Sequence, residues 1–492
     1  MTPTPASPRV FMANPISPLD TAINAVNGVI WSPALVYLCL GAGLWFSLRG
    51  RFLQVRHLGE MVRLLRSGGK SEAGVSSFQA LAMSLSGRVG TGNIAGVATA
   101  IAFGGPGAIF WMWVVAFLGA ATAFIEATLA QIYKETDDNG LYRGGPAYFI
   151  DKALGVSWFA WVFAIATIIA MGFFMPGLQA NAIVEGLNNA WGVNKPITAL
   201  LLTVLLATIV IGGVRRIAAF AQLVVPIMAL LYIAMAIFVL AINADKVPGA
   251  FRLIFDSAFG LHAGFGAIAG AAVQWGVKRG VYSNEAGQGT GPHHAAAAEV
   301  DHPAQQGLVQ AFSVYIDTLL ICTATALMIL VSGLYEVFDG GQTLYSGLAG
   351  VAAGPGYVQA ALESALPGFG SSMTAIALLF FAFTTIVAYY YIAETNVAFI
   401  NRKMHSPWLF SALKVLILAA VYWGGVKSAS SAWALGDIGL GMMAWLNIIA
   451  ILLLQRPALA ALRDYERQRQ RQQTISFDAA AHGIEHAEHW RG

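Results

Sequence analysis

The chain has 492 residues, 57% of them hydrophobic and 11% charged, with a mean hydropathy of +0.65. Soluble domains carry about 25% charged residues, so the composition excludes one and defines an integral membrane protein whose partner is the lipid bilayer. The formal net charge of +3 is too small and too scattered to make nucleic acid a partner. Cys39 and Cys322 both fall in apolar runs, as buried small hydrophobes do, and imply no disulfide scaffold.

The N-terminal tail, 1–23, opens MTPTPASPRVFMANPISP. It has no basic stretch leading into an apolar core, so it does not read as a signal peptide. A helix needs about 20 apolar residues to cross a bilayer. Eleven segments qualify, roughly 24–48, 77–103, 107–133, 156–188, 195–214, 217–242, 260–282, 306–334, 371–400, 406–425 and 432–455. The membrane domain is therefore 24–455, followed by a polar tail, 456–492.

Basic residues orient the spans. Arg49, Arg51, Arg56, Arg63, Arg66 and Lys70 follow the first span, and Lys134, Arg143 and Lys152 the third. Arg215 and Arg216 follow the fifth, Lys278 and Arg279 close the seventh, and Arg402 and Lys403 follow the ninth. Arg456, Arg463, Arg467, Arg469 and Arg471 follow the eleventh. Eleven spans put all of these on one side and leave Arg9, Lys195, Lys246, Arg252 and Lys427 on the other. The expected N-terminus is outside, the C-terminus is cytoplasmic, and the membrane is a cell inner (plasma) membrane. Phe52–Arg66, FLQVRHLGEMVRLLR, mixes apolar and basic residues at helical spacing and is expected along the inner surface. The Gly- and Ser-rich loop from Tyr335 to Pro367 is expected to cover the outer face. The tail, with His482, His486 and His489, reads as a solvated, partly disordered extension.

Within the second span, Ser84–Gly107 reads SLSGRVGTGNIAGVATAIAFGGPG. Lipid offers no partner for a freed backbone N–H or C=O, so irregular backbone at this depth must line a cavity or be buried in protein. The stretch Ser86, Gly87, Arg88, Val89, Gly90, Thr91, Gly92, Asn93 frees the backbone to unwind. The helix resuming near Asn93 would point amides into the gap, an anion site suited to an amino-acid carboxylate, and released carbonyls suit a cation. Close packing through small residues explains the glycines, but not Arg88, Thr91 and Asn93 between them. The match of Gly90, Gly92 and Ala95 to a dinucleotide fingerprint fails, because a membrane helix rather than a strand precedes it.

The seventh span holds a second cluster: Gly264, Gly266 and Gly270, then Gln274, Trp275 and Gly276, then RGVYSNEAGQGTGPHH. Its break is expected near Val273–Gly276. Glu285 is expected at the cytoplasmic end, capping the next helix or gating the inner mouth. Glycine-interrupted spans five apart begin two five-helix units of opposite orientation, about 77–242 and 260–455, the mark of an inverted-repeat transporter. The expected fold is thus all-α, one N-terminal helix plus a 5+5 inverted repeat with two interrupted helices. Ionisable or amide groups inside spans are costly, which adds Gln179, Asn181, Asp317, Thr318 and the pair Thr384–Thr385 as candidates. Glu126 and Glu394 read as interfacial or paired structural charges.

SGRVGTGNIAGVATAIAFGGPGAIFWMW, RGVYSNEAGQGTGPHHAAAAE and YIDTLLICTATALMILVSGL closely resemble the alanine/glycine:cation symporter family, over about Phe78 to Thr395. The resemblance implies a leucine-transporter-like fold and cation-coupled uptake of small neutral amino acids such as L-alanine and glycine, with sodium as coupling ion, no other cofactor and no enzymatic chemistry. ALAMSLSGRVGTGN and FFAFTTIVA are similar to two core helices of the sodium:neurotransmitter symporters. That likeness implies a sodium site of the carbonyls near Ser86 and Val89 with the hydroxyls of Thr384 and Thr385. It also implies a substrate carboxylate at Gly90–Asn93, an ammonium near Val273–Gly276, and Trp275 limiting side-chain size. The family pattern has Thr where this chain has Arg88, whose guanidinium would replace a second cation, pair with Asp317, or point away to the vestibule. Rival readings are another small carboxylate as cargo, proton coupling, a channel, and a membrane hydrolase built on His293, His294, Glu299 and His302. The hydrolase lacks any GxSxG or HExxH motif.

Overall fold

The structure, a computed structural model, describes residues 18–65, 74–137, 140–211, 213–262 and 264–490. Most of the expected N-terminal tail, with Arg9, lies outside them, as do Arg66 and Lys70. Proline lacks an N–H and clashes inside a helix, so Pro33 splits the first apolar run into α1 (Pro18–Ile30) and α2 (Pro33–Arg49). Two short helices, α3 (Leu53–Arg56) and α4 (Leu58–Leu64), occupy the segment expected along the surface. They bury Leu53, Met61 and Leu64 and turn Arg51, Arg56 and Arg63 outward.

A capping box of Ser76 and Gln79 starts α5 (Ser77–Arg88). The chain is irregular at Val89–Thr91 and resumes through a π-turn, Gly92–Gly96, into α6 (Val97–Gly104). Next come α7 (Gly107–Ile132), the paired strands β1 (Glu135–Thr136) and β2 (Tyr142–Arg143), and α8 (Pro146–Phe149). A long rod follows, α9 (Ser157–Ile169) and α10 (Met175–Trp191), joined by the π-turn Ala170–Phe174. After α11 (Lys195–Val210) and α12 (Gly213–Ile242) comes an element the sequence reading missed, α13 (Val247–Ala258). It is half apolar and packs at Gly107, where a side chain would stand 2.5 Å from the Ala258 nitrogen.

The seventh span differs from expectation. Helix α14 (Ala269–Asn284) is continuous through Gln274, Trp275 and Gly276. The break falls at 285–290, before α15 (Gly291–Ala297). Glu285 opens it with φ +58°, and Gly287 and Gly289 follow with φ +84° and +82°. The chain continues through α16 (Pro303–Val314), a π-helical stretch Tyr315–Cys322, and α17 (Thr323–Ser332). The expected covering loop holds a hairpin, β3 (Glu336–Asp339) with β4 (Gln342–Ser346), and a helix, α18 (Pro355–Ala365). Three long helices close the chain: α19 (Gly370–Met404), α20 (Trp408–Val426) and α21 (Ala429–Gln470). Among the described residues, eight helices are long and apolar enough to span, while Gly92–Gly104 and Lys195–Val210 are shorter apolar helices.

The two interrupted helices meet at one end of the bundle, where Val75 and Ala297–Glu299 exchange backbone hydrogen bonds. The tail packs on that end rather than extending into solvent. Trp490 is buried and donates to the Gln131 carbonyl at 2.8 Å, Glu488 pairs with Lys152 at 2.6 Å, and Phe477 packs edge-on to His302. Phe103 and Trp275 lie at the opposite, hairpin end with Phe338 of β3.

Candidate functional site

Both breaks lie in the protein interior, where each freed backbone group needs a partner. In a continuous helix the Gly90 N–H would bond the Ser86 carbonyl. It bonds the Asn93 side-chain oxygen instead, at 2.9 Å, which releases the Ser86 carbonyl toward α19. There the Thr385 hydroxyl lies 2.8 Å from Ser86 O, 3.4 Å from Val89 O and 2.8 Å from Phe381 O. One hydroxyl has a single proton, so three carbonyls converge on a point it cannot satisfy. The Thr384 hydroxyl stands 2.9 Å from the same Phe381 carbonyl. Around the Thr385 hydroxyl the cluster offers oxygen, the ligand type hard cations take. Ser86, Val89 and Thr385 are thus brought together, with Phe381 a member the sequence reading missed, whereas Thr384 reaches the cluster only through the Phe381 carbonyl and also faces the Met228 sulfur at 3.8 Å.

Beside it, Thr91 donates its N–H to the Gln179 side-chain carbonyl at 3.1 Å, and its hydroxyl lies 3.0 Å from the Tyr282 hydroxyl. A Cβ on Gly92 would meet the Tyr282 ring at 3.0 Å. Gly90, Thr91, Gly92, Asn93 and Gln179 therefore share one locus. Tyr282, from α14, is the aromatic wall there, and it too was missed: in the sequence it is one of 15 tyrosines.

Asp317 sits in the π-helical stretch, fully buried. It accepts from Asn93 at 2.6 Å, from the Ser283 hydroxyl at 3.1 Å and from the Thr318 hydroxyl at 2.7 Å. It thereby ties both interrupted helices to the eighth span. Asn284 donates to Thr318 at 3.3 Å. Arg88 is also buried, but it donates to the Gln310 carbonyl at 3.1 Å and to the Ser313 hydroxyl rather than to Asp317. A side chain on Gly291 would stand 2.8 Å from its guanidinium, so it lies against α15.

Several expectations are corrected. Gln274 is exposed, and Gly276 packs α14 on α7, where a Cβ would stand 2.4 Å from the Ala108 carbonyl. Trp275 stacks on Phe103 at 4.9 Å, toward the hairpin end. A continuous helix keeps its carbonyls bonded, so this segment has none free for an ammonium. Asn181 caps the end of α20 through the Gly424 and Lys427 carbonyls, at 3.0 and 2.8 Å. Glu285 ends α14 and opens the second break, buried in the interior, where its carboxylate takes the Thr290 hydroxyl at 2.9 Å. Glu126 is no interfacial charge: its carboxylate accepts the Gly287 and Gly289 amides at 3.3 and 3.2 Å and the Asn447 amide at 2.8 Å. Lys278 and Arg279 do not close the seventh span on the basic side. Both pair inside the bundle with Asp437 of α21, at 2.6 and 2.8 Å.

Two interrupted helices packed around buried oxygen and amide clusters define a broken-helix membrane transporter. The fold is shared with MhsT, solved in complex with L-phenylalanine, at a TM-score of 0.52 and 15% identity over 80% of this chain and 99% of that one. The sequence model of the sodium:alanine symporter family matches residues 17–479, and the chain belongs to that family. It is 59% identical to YrbD of Bacillus subtilis (strain 168), over 95% of this chain and 97% of the relative. It is 54% identical to the sodium/proton-dependent alanine carrier protein of Bacillus sp. (strain PS3), over 87% and 97%. The protein is a multi-pass membrane symporter and not an enzyme.

Proposed function

We propose that the protein takes up L-alanine, with glycine as the smaller alternative cargo, by alternating access driven by sodium across a cell's inner membrane. The convergence of the Ser86, Val89 and Phe381 carbonyls on the Thr385 hydroxyl carries the sodium assignment. The break in the first interrupted helix and Thr385 of α19 create that convergence together, so a cation there holds two helices in one arrangement. The substrate carboxylate docks within the Gly90–Asn93 segment, at the Thr91 N–H, and Tyr282 rather than Trp275 limits the side chain. Sodium and substrate share one unwound segment, so each raises the other's affinity. The alanine cargo agrees with the names of the relatives. The basic residues around α3, α4, β2 and the end of α21 support a reading with that end in the cytoplasm and the N-terminus outside.

Replacing the hydroxyl by a methyl, Thr385→Val, tests the cation site. Sodium stimulation of labelled L-alanine binding is expected to fall about tenfold or more, the effect of losing one buried ligand worth 1–3 kcal/mol. Alanine binding without sodium stays as in the wild type. Unchanged sodium activation would remove Thr385 from the site.

A second reading, proton coupling, is favoured by one observation. Three carboxylates, Glu126, Glu285 and Asp317, are fully buried beside the two breaks, and among the described residues none forms a salt bridge with Lys or Arg.

A further inference from the structure

A symporter must close over its site in two conditions, fully loaded and empty, and must not close when half loaded, or one solute leaks. Empty closure poses a problem at Thr91. Its N–H belongs to the unwound segment, its side chain is fully buried, and no water reaches a closed site. An unmade hydrogen bond there would oppose the closed empty state.

We propose that Gln179 is a built-in stand-in for the substrate's carboxylate: its side-chain carbonyl holds the Thr91 N–H while the carrier is empty and releases it when an amino acid arrives. A backbone N–H can only donate, so the atom facing it at 3.1 Å is the amide oxygen. The other end of the same amide faces the Tyr282 hydroxyl at 3.5 Å, and that hydroxyl also lies 3.0 Å from Thr91 Oγ1. One tyrosine of α14 therefore touches both the holder and the held residue. Gly90 leaves room for the exchange, because a Cβ there would crowd Gln179 Oε1 at 3.1 Å. Asn93 holds the neighbouring Gly90 N–H from its own helical turn and stays in place in either state. Gln179 comes from α10, outside the interrupted helix, and can withdraw as that helix moves. Its role is positioning for the empty return step, not direct binding of cargo. The inference rests on the carboxylate docking at the Thr91 N–H.

The two half-cycles separate the roles. Exchange of labelled for unlabelled L-alanine across a proteoliposome needs only loaded closure, whereas net uptake also needs the empty return. Gln179→Met keeps the volume and loses the acceptor. It is expected to slow net uptake about tenfold, the factor for one buried hydrogen bond left unmade, to leave exchange within about twofold, and to tighten apparent alanine affinity. Gln179→Glu keeps a stronger acceptor on the amide and is expected to weaken alanine affinity about tenfold. Equal loss of exchange and net uptake in Gln179→Met, with weaker affinity, would make Gln179 an ordinary substrate ligand and overturn the proposal. So would unchanged behaviour of both variants. If wild-type protein exchanges no alanine at all, the substrate reading fails first and this inference with it.

Discussion

At Gly90 the backbone has to pass within reach of a hydroxyl from another helix. A Cβ there would stand 3.1 Å from Gln179 Oε1, a tight contact, and 2.5 Å from Thr385 Oγ1, closer than real Cβ contacts come. Gly90→Ala is therefore expected to abolish sodium activation while the protein still elutes as a folded species. Gly270→Ala, where nothing lies within 4 Å, is the control that keeps full uptake. Wild-type sodium activation in Gly90→Ala would mean that the cluster is not the cation site. This part of the site was legible in the sequence because glycine between polar residues and paired hydroxyls in an apolar run are both costly in a membrane. Tyr282 and Phe381 were not legible. An aromatic in a span looks like any packing residue, and a backbone carbonyl leaves no mark on residue type. Glu126 could be read only as an interfacial or a structural charge, because its partners, the amides of Gly287 and Gly289, come from 161 and 163 residues away.

Among the elements, the existence of two interrupted helices could be read, but not the position of the second break. Glycine serves two purposes here that look alike in sequence. Gly276 and Gly280 let α14 approach α7, where added Cβ atoms would stand 2.4 Å from the Ala108 carbonyl and 2.3 Å from Val115. Gly287 and Gly289 adopt positive φ and unwind the chain, which ordinary L-residues resist. Only the second kind breaks a helix, and here it coincides with the SNEAG motif on which the resemblance rested. The docked tail was hidden for another reason: Phe477, Ile484 and Trp490 are too widely spaced to form a periodic pattern, yet each is buried on folding. Helices α14 and α21 are tied together by the Asp437 carboxylate, which takes Lys278 at 2.6 Å and Arg279 at 2.8 and 3.2 Å. Asp437→Asn leaves two buried cations without their counter-charge and is expected to destabilise the protein by about 3–5 kcal/mol, read as a large drop in its melting temperature in detergent. An unchanged melting temperature would show that the triad is not a stabilising clamp in the ground state.

On the scale of the whole molecule, the same helices hold the cation cluster, the substrate amides and the Asp317 network. Asn93 contributes to two of them at once: it caps Gly90 at 2.9 Å and donates to Asp317 at 2.6 Å. Ser283, from the other interrupted helix, reaches the same carboxylate at 3.1 Å. Occupancy at one cluster therefore bears on the geometry of the next, and coupling needs no mechanism beyond that shared scaffold. The central claim is that a sodium gradient drives alanine through this scaffold. The most direct measurement is uptake of labelled L-alanine into proteoliposomes under an inward sodium gradient, repeated with potassium in place of sodium and with an inward proton gradient alone. Accumulation above the external concentration under sodium, and none under potassium, is the predicted result. Accumulation driven by protons with no sodium present would contradict it and move the coupling role from the Thr385 cluster to the buried carboxylates.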